Sequence, residues 1–189
     1  MKNNYMLIIT GAPATGKTTY GRKISQNLGI PFISKDKLKE TIYDAITQNT
    51  LLEYEEKRRI GSISYSILFL IAEELMMVGN SFIIESNFGK ESISTIEKLA
   101  LKYEYNTLTI RFECDLEVLH KRFLARENMQ ERHPGLRSNG IFDEQNAFKK
   151  AVNMSKEFKL DDKEIIIDTT DFNKVDLEFL INSIKKRLI

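Results

Sequence analysis

The stretch Gly11-Ala-Pro-Ala-Thr-Gly16-Lys17-Thr18-Thr19 matches the pattern G-x-x-x-x-G-K-[ST] at every fixed position. The apolar run Tyr5-Met-Leu-Ile-Ile-Thr10 before it predicts a buried strand, and residues 19–28 after it predict a helix. A strand, a glycine-rich loop and a helix in this order form the P-loop, whose backbone N–H groups bind phosphate oxygens. The stretch therefore predicts a nucleotide-binding site.

The residue types of this loop have separate chemical roles. Glycines let the backbone curl around the phosphates, and the helix that begins near Lys17 adds the positive end of its dipole there. Lys17 is expected to reach the β- and γ-phosphates of ATP, and the Thr18 hydroxyl is expected to bind Mg²⁺. The predicted nucleotide-binding residues of the loop are Gly11, Ala12, Pro13, Ala14, Thr15, Gly16, Lys17, Thr18 and Thr19.

Length and composition describe a single globular domain over residues 1–189. The formal net charge of +1 gives no global attraction to nucleic acid or to an anionic membrane. Cys114 is the one cysteine, so a disulfide framework is excluded. No segment is expected to be long and apolar enough to span a membrane, and no signal peptide precedes the first strand, so the expected location is the cytoplasm.

Apolar runs that alternate with helical patterns predict an α/β protein. Strands are predicted at residues 5–10, 32–33, 81–85, 107–112 and 164–168, and helices at residues 19–28, 37–48, 53–78, 92–102, 116–126, 143–158 and 174–188. In the longest helix, the apolar residues three or four positions apart are predicted to face the core: Ile60, Ile63, Ile67, Ile71 and Leu75. The order predicts a three-layer P-loop NTPase fold, with about five parallel strands flanked by helices.

Residues 127–140 are polar and contain Pro134, Gly135 and Gly140, and we call them the lid segment. The composition predicts a mobile lid. In open parallel sheets, ligands bind beyond the carboxyl ends of the strands. Glu85 and Asn87, which end the third predicted strand, are therefore candidates for contact with Mg²⁺ or with the acceptor substrate, although an acidic strand end that faces solvent is the simpler interpretation.

The sequence resembles the P-loop kinases over essentially its whole length. The matching pieces are Gly11-Ala-Pro-Ala-Thr-Gly-Lys-Thr-Thr19, Ile33-Ser-Lys-Asp36, Phe82-Ile-Ile-Glu-Ser-Asn-Phe88, and Cys114-Asp-Leu-Glu-Val-Leu-His-Lys-Arg-Phe-Leu-Ala-Arg126 with Arg132-His-Pro-Gly135. It is most similar to the branch that holds polynucleotide 5′-hydroxyl kinases, chloramphenicol phosphotransferase and zeta-toxin-like kinases. The resemblance implies transfer of phosphate from ATP, with Mg²⁺, to a hydroxyl group.

Asp36 corresponds to the aspartate that serves as catalytic base in the similar kinases. A carboxylate at this place orients the attacking hydroxyl and takes its proton. Spacing alone is equally consistent with a helix cap, because aspartate immediately before a helix is a favoured N-cap residue.

Four arginines are candidates for neutralising the charge of the transferred phosphate: Arg122, Arg126, Arg132 and Arg137. The resemblance assigns Arg126 and Arg132 to catalysis, Arg122 to the nucleotide and Arg137 to the substrate. The alternative is a solvated basic surface. Leu136 stands where similar kinases often carry a second histidine, so the lid contacts depart from their pattern.

The leading functional interpretation is a kinase that acts on a hydroxyl of a small molecule such as a nucleoside, a sugar nucleotide or an antibiotic. The helices over residues 37–78 are expected to form much of the acceptor pocket, although aromatic residues at helical spacing are more often part of a core. The candidate residues are Tyr43, Tyr54, Tyr65, Phe69, Lys57, Arg58 and Arg59. A polynucleotide 5′-hydroxyl is the second choice, because the near-neutral charge lacks a basic stripe. A P-loop ATPase that acts as a conformational switch is the alternative from another class.

Overall fold

The computed structural model describes residues 4–47, 52–160 and 164–188, and in this part of the chain five parallel strands form one sheet. The strands are β1 Tyr5–Gly11, β2 Phe32–Ser34, β3 Phe82–Glu85, β4 Asn106–Glu113 and β5 Glu164–Asp168. Their order across the sheet is β2-β3-β1-β4-β5, so β1 lies at the centre and every residue of β1 is buried. The predicted five-stranded parallel sheet is confirmed.

Seven helices connect and flank these strands in the described residues. They are α1 Lys17–Leu28, α2 Lys35–Thr47, α3 Tyr54–Met77, α4 Ile93–Tyr103, α5 Leu116–Glu127, α6 Gln145–Lys156 and α7 Leu177–Arg187. The last helix starts three residues later than predicted, because Asp176 caps it by accepting a hydrogen bond from the Phe179 N–H at 2.9 Å. The predicted end of α2 at Gln48 lies outside the described residues.

Strand β1 contributes side chains to two hydrophobic cores, one on each face of the sheet, and the fold therefore has three layers. Alternate side chains of a strand point to opposite faces. Leu7 and Ile9 therefore pack on the side of α1 and α7, whereas Met6 and Ile8 pack on the side of α3 and α4. With both faces covered, the loops at the carboxyl edge of the sheet are the part of the described chain where a ligand meets several strands at once.

The face that α3 buries differs from the predicted one. The buried residues are Lys57, Ile60, Ser64, Leu68, Ala72 and Met76. Of the predicted face only Ile60 is fully buried, and Ile63 is exposed. The small side chains of Ser64 and Ala72 let the helix approach its neighbours closely, so the tightest contact follows these residues rather than the largest apolar ones.

The expectation about membrane-spanning length was wrong for α3. Its 24 residues include an 18-residue window with a mean hydropathy of 1.5, which by length and composition is enough to cross a membrane. A core helix of a soluble protein passes the same test. Here Leu68, Ala72 and Met76 pack against Met6, Ile8 and the other core residues on this side of the sheet.

Gly11 ends β1 at a point where no side chain fits, and its replacement by alanine is expected to destabilise the protein. Its φ of 137° lies in the region that only glycine adopts readily, and a Cβ atom would overlap the Phe112 carbonyl oxygen. We expect Gly11→Ala to lower the free energy of unfolding by about 3 kcal/mol, as measured by urea denaturation.

Gly61, in the middle of α3, is the matched control for this substitution. A Cβ atom there meets no atom within 4 Å. Since alanine is the better helix former, Gly61→Ala is expected to raise the free energy of unfolding by about 0.5–1 kcal/mol. If the two substitutions changed the free energy of unfolding equally, the close approach of β4 to Gly11 would not contribute to stability.

Candidate functional site

The loop between β1 and α1 has the conformation of a phosphate-binding nest. Ala14 and Gly16 have φ values of 66° and 87°, which turn successive N–H groups toward one side. Within the described residues, the backbone N–H groups of residues 14–16 donate to no protein acceptor. The Lys17 ammonium donates to the Ala12 carbonyl at 2.8 Å and so lies across the mouth of the nest. The loop is therefore shaped for phosphate without further rearrangement.

Burial lowers the pKa of Lys17 to about 8, although Glu85 and Asp36 act in the opposite direction. The side chain is only 6% exposed, so its charge has lost most of its hydration. An anion that enters the site therefore stabilises the charged form of this buried ammonium.

Glu85 lies beside Thr18 at the end of β3. The register pairs Glu85 with Ser34 of β2, and the Ser34 hydroxyl donates to Glu85 Oε2 at 2.6 Å. The Thr18 hydroxyl approaches the same oxygen at 3.4 Å. Burial raises the pKa of Glu85, with Lys17 acting against it. A carboxylate and hydroxyls are the oxygen ligands that Mg²⁺ prefers, so this group fits the predicted metal better than an acidic strand end in solvent.

Asp36 lies inside the first turn of α2, which begins at Lys35, so it does not cap the helix. The carboxylate is 41% exposed, and the Lys35 ammonium lies 3.4 Å from its Oδ1 atom. Burial alone would raise the pKa of Asp36, but Lys35, Lys17 and Arg132 outweigh it and lower the pKa. Asp36 is therefore an ionised carboxylate, held by cations and open to the site.

The three predicted arginines of α5 and the lid segment face the same cavity as Lys17. Arg126 has a buried Nε atom that finds no acceptor among the described residues. Arg132 is held by Glu127 at 3.1 Å and by the Leu136 carbonyl at 3.0 Å. Arg137 donates to the Arg132 and Met129 carbonyls. Arg126 thus lines the cavity and has a buried donor that no acceptor satisfies among the described residues.

The cavity has a volume of about 280 Å³ and is strongly cationic. It brings together most of the predicted site residues: Pro13, Ala14, Gly16, Lys17, Thr18, Thr19, Asp36, Glu85, Asn87, Arg126, Arg132 and Arg137. Eight lysines and arginines line it against two carboxylates, in a chain whose net charge is only +1. This local imbalance predicts an anionic ligand.

Four predicted site residues do not line this cavity: Gly11, Ala12 and Thr15 of the P-loop, and Arg122. Arg122 has a separate place in the structure. Its guanidinium donates to the Thr169 and Thr170 carbonyls at 2.6 and 2.8 Å and stacks on the Phe172 ring at 4.0 Å. Phe172 in turn packs against Gly16, where a Cβ atom would come within 2.9 Å of the ring. Arg122 therefore supports the far side of the P-loop, and its contact with a nucleotide stays a prediction.

Lys35 and Lys39 line the cavity, although no role was predicted for either of them. Burial lowers the pKa of Lys39 to about 8, and Lys35, Lys57 and Arg132 lower it further. Lysines on a helix are usually solvated, so composition alone cannot single them out. Their spacing could have indicated a role, because residues 35 and 39 lie on one face of the helix, and Asp36 lies next to that face.

The lid segment is docked on α2. His133 Nε2 lies 2.9 Å from Asp44 Oδ1, and Gly135 packs against the Tyr43 ring with no room for a Cβ atom. The Ser138 N–H donates to Glu127 at 2.6 Å. These contacts place the lid arginines beside Asp36, and the predicted mobility of the segment stays a prediction.

Comparison with known proteins agrees with the geometry. A family model described as an AAA domain matches residues 6–150. A structure titled as a putative kinase from Chloroflexus aurantiacus is 26% identical, with a TM-score of 0.85 over 98% of both chains. No protein of curated function matches the sequence significantly.

Two more distant structures share the fold alone. Shikimate kinase from Bacteroides thetaiotaomicron is 14% identical, with a TM-score of 0.59 over 97% of this chain and 98% of that chain. Kti12 from Chaetomium thermophilum, solved in complex with ADP-AlF3, is 15% identical, with a TM-score of 0.60 over 97% of this chain and 99% of that one.

Proposed function

The chain belongs to the AAA domain family of P-loop proteins, and we propose that it is an ATP- and Mg²⁺-dependent kinase that phosphorylates a hydroxyl group of a small molecule. The observation that supports this most directly is the cavity in which the ionised Asp36 faces the P-loop lysine and two arginines. A nucleotide switch needs no carboxylate placed for an acceptor, whereas a kinase does.

The chain's own residues account for each step of the transfer. Nest N–H groups and Lys17 bind the β- and γ-phosphates, and Arg126 and Arg132 neutralise the negative charge on the transferred group. The acceptor oxygen bonds to the γ-phosphorus as the bond from that phosphorus to the ADP oxygen breaks. Asp36 orients the acceptor hydroxyl and takes its proton.

Thr18 and Glu85 are the residues that would hold the metal ion, and Ser34 keeps the Glu85 carboxylate in place. When bound there, Mg²⁺ would offset the negative charge of the phosphates. Because burial disfavours the charged form of Glu85, a cation bound in this position would stabilise its carboxylate.

Transfer of labelled γ-phosphate from Mg-ATP tests the proposal. The protein would be incubated with a mixed pool of metabolites, nucleosides, antibiotics and 5′-hydroxyl oligonucleotides. Label in one alcohol, absent with the Lys17→Met variant, would support the kinase. Label released only as free phosphate would reject it and favour the ATPase switch.

Nucleotide affinity is expected to fall as the pH rises above 8. The Lys17 pKa is about 8 without ligand, and phosphate oxygens raise it, so the complex holds more protons than the free protein above that pH. The Kd for Mg-ADP should therefore rise by up to about tenfold per pH unit above pH 8. Below pH 7 the protonation of Lys17 should change the Kd little.

Isothermal titration calorimetry between pH 7 and 9.5, in buffers of different ionisation enthalpy, measures both the affinity and the proton uptake. Lys23→Met, an exposed lysine on α1, is the control and should keep both the pH dependence and the proton uptake. An affinity that is constant across this range in the unmodified protein would contradict the linkage.

A further inference from the structure

The cavity holds more positive charge than the transferred phosphate requires. Lys17, Arg126 and Arg132 are the cations that the transfer uses. The remaining cations of the cavity wall are Lys35, Lys39, Lys57, Arg58 and Arg137. Of these, Lys35 pairs with Asp36 at 3.4 Å and Arg58 pairs with Glu55 at 3.2 Å. Among the described residues, Lys39 and Lys57 are the two lysines of this wall that have no carboxylate within salt-bridge distance.

The position of Lys39 shows this excess of positive charge most directly. It lies one helical turn after Lys35 and Asp36 on α2, so all three side chains border the same wall of the cavity. Among the described residues no carboxylate lies within salt-bridge distance of its ammonium, whereas Lys37, two positions earlier, pairs with Glu40 at 3.0 Å. A half-buried, uncompensated ammonium is costly unless a ligand pairs with it.

Helix α3 presents a second set of polar groups to the same space. Tyr54, Lys57 and Arg58 recur at positions that share a helix face and line the cavity. Lys57 is 5% exposed, and its ammonium donates to the Asn139 side-chain oxygen of the lid segment at 2.9 Å. That neutral partner fixes the direction of the ammonium without cancelling its charge.

The space continues beyond these residues. A second cavity of about 580 Å³, bordered by the start of α3 and the lid segment, shares Lys57, Arg132 and Arg137 with the first. The two cavities therefore adjoin at these three cations, and the second is also lined by Glu53 and Glu131.

We propose that the acceptor is a small phosphorylated alcohol, whose phosphate binds Lys39 and Lys57 while its free hydroxyl faces Asp36. The inference rests on the proposed kinase function and narrows its substrate class. A dianionic phosphate compensates two lysines at once, and lysine binds phosphate well as a point charge. The resident phosphate is unchanged in the reaction, since the new bond forms at the free hydroxyl and the proton goes to Asp36.

Matched acceptor pairs test the substrate class. Transfer from labelled Mg-ATP would be compared for ribose and ribose 5-phosphate, glycerol and glycerol 3-phosphate, and uridine and uridine 5′-monophosphate. We expect the phosphorylated member of at least one pair to react with a kcat/KM about a hundredfold higher. Preference for neutral alcohols would overturn the inference while leaving the kinase proposal intact. A 5′-hydroxyl oligonucleotide as the best acceptor would show that the phosphate belongs to a polymer and would overturn the small-molecule assignment.

The lysine variants locate the binding site. Lys39→Gln is expected to raise the KM for the phosphorylated acceptor by about tenfold or more, with the KM for ATP unchanged. Lys37→Gln, an exposed lysine on the same helix outside the cavity, is the matched control and should change neither value. A rise in the KM for ATP instead would assign Lys39 to the nucleotide and overturn the inference.

A binding measurement keeps the inference testable if no transfer is seen. Inorganic phosphate would be titrated by calorimetry into the protein saturated with Mg²⁺ and a non-hydrolysable ATP analogue. Binding that Lys39→Gln weakens and Lys37→Gln does not would support a second anion site independently of catalysis. Undiminished binding in Lys39→Gln, or no binding to the unmodified protein, would overturn it.

Discussion

Replacing Asp36 with asparagine is expected to lower the rate of phosphoryl transfer by about a thousandfold. The amide keeps the size of the side chain but cannot take the acceptor proton, and general-base catalysis contributes about 10²- to 10⁴-fold. The affinity for Mg-ADP should stay the same or increase, because the substitution removes a negative charge close to Lys17 and Arg132. Single-turnover transfer to the identified acceptor and calorimetric ADP binding measure the two effects separately.

Glu40→Gln is the matched control for this prediction. Glu40 lies one turn later on α2, pairs with Lys37 and does not line the cavity, so its substitution should leave the transfer rate unchanged. If Asp36→Asn and Glu40→Gln had equal effects on the rate, Asp36 would not be the base. A large loss of ADP affinity in Asp36→Asn would instead indicate a structural role.

Replacing Lys17 with methionine is expected to reduce kcat/KM for ATP by about a thousandfold, because the proposed function has the ammonium contact the phosphates both before and during transfer. The same substitution should not destabilise the ligand-free protein. Methionine retains the apolar stem, and it removes a charge that burial already disfavours, as the lowered pKa of about 8 shows. Thermal unfolding without ligand should therefore occur at the same or a higher temperature than in the unmodified protein.

Ligand-induced stabilisation separates these two effects. Mg-ADP at about 100 times its Kd should stabilise the unmodified protein by about 2.7 kcal/mol, and the Lys17→Met variant hardly at all. Lys23→Met, an exposed lysine on the same helix α1, is the control and should retain the full shift. A variant that still responds to ADP would contradict the role of Lys17 in binding.

The sheet and the P-loop could be predicted from sequence because local patterns determine them. Each strand was found from a short apolar run, and the loop was found from glycines and Lys17, whose roles depend on their immediate neighbours. The face of α3 could not be predicted in this way. Ser64 and Ala72 are buried because they are small enough for close packing, whereas the periodicity of large apolar residues pointed to Ile63, which is exposed.

The acceptor side of the site depends on contacts between distant parts of the chain, which the sequence pattern does not contain. His133 meets Asp44 across 89 positions, and Ser34 meets Glu85 across 51. In the sequence Lys39 is one lysine among several on a helix, and only the fold places it in a cavity with no carboxylate partner among the described residues. The P-loop residues could be predicted because the motif carries them, and Asp36 and the arginines because the resemblance covers them. The place of Lys39 in the cavity could not be predicted.

The apolar character of α3 has a consequence for the synthesis of the chain. The helix is complete at Met77, but the core that covers it includes Phe158, roughly 80 residues later. At about 5–20 residues per second, the ribosome leaves this core incomplete for about 4 to 16 s. During that interval the nascent chain presents a segment hydrophobic enough for chaperones and insertion machinery to bind, and the completion of α6 and the residues after it ends the exposure.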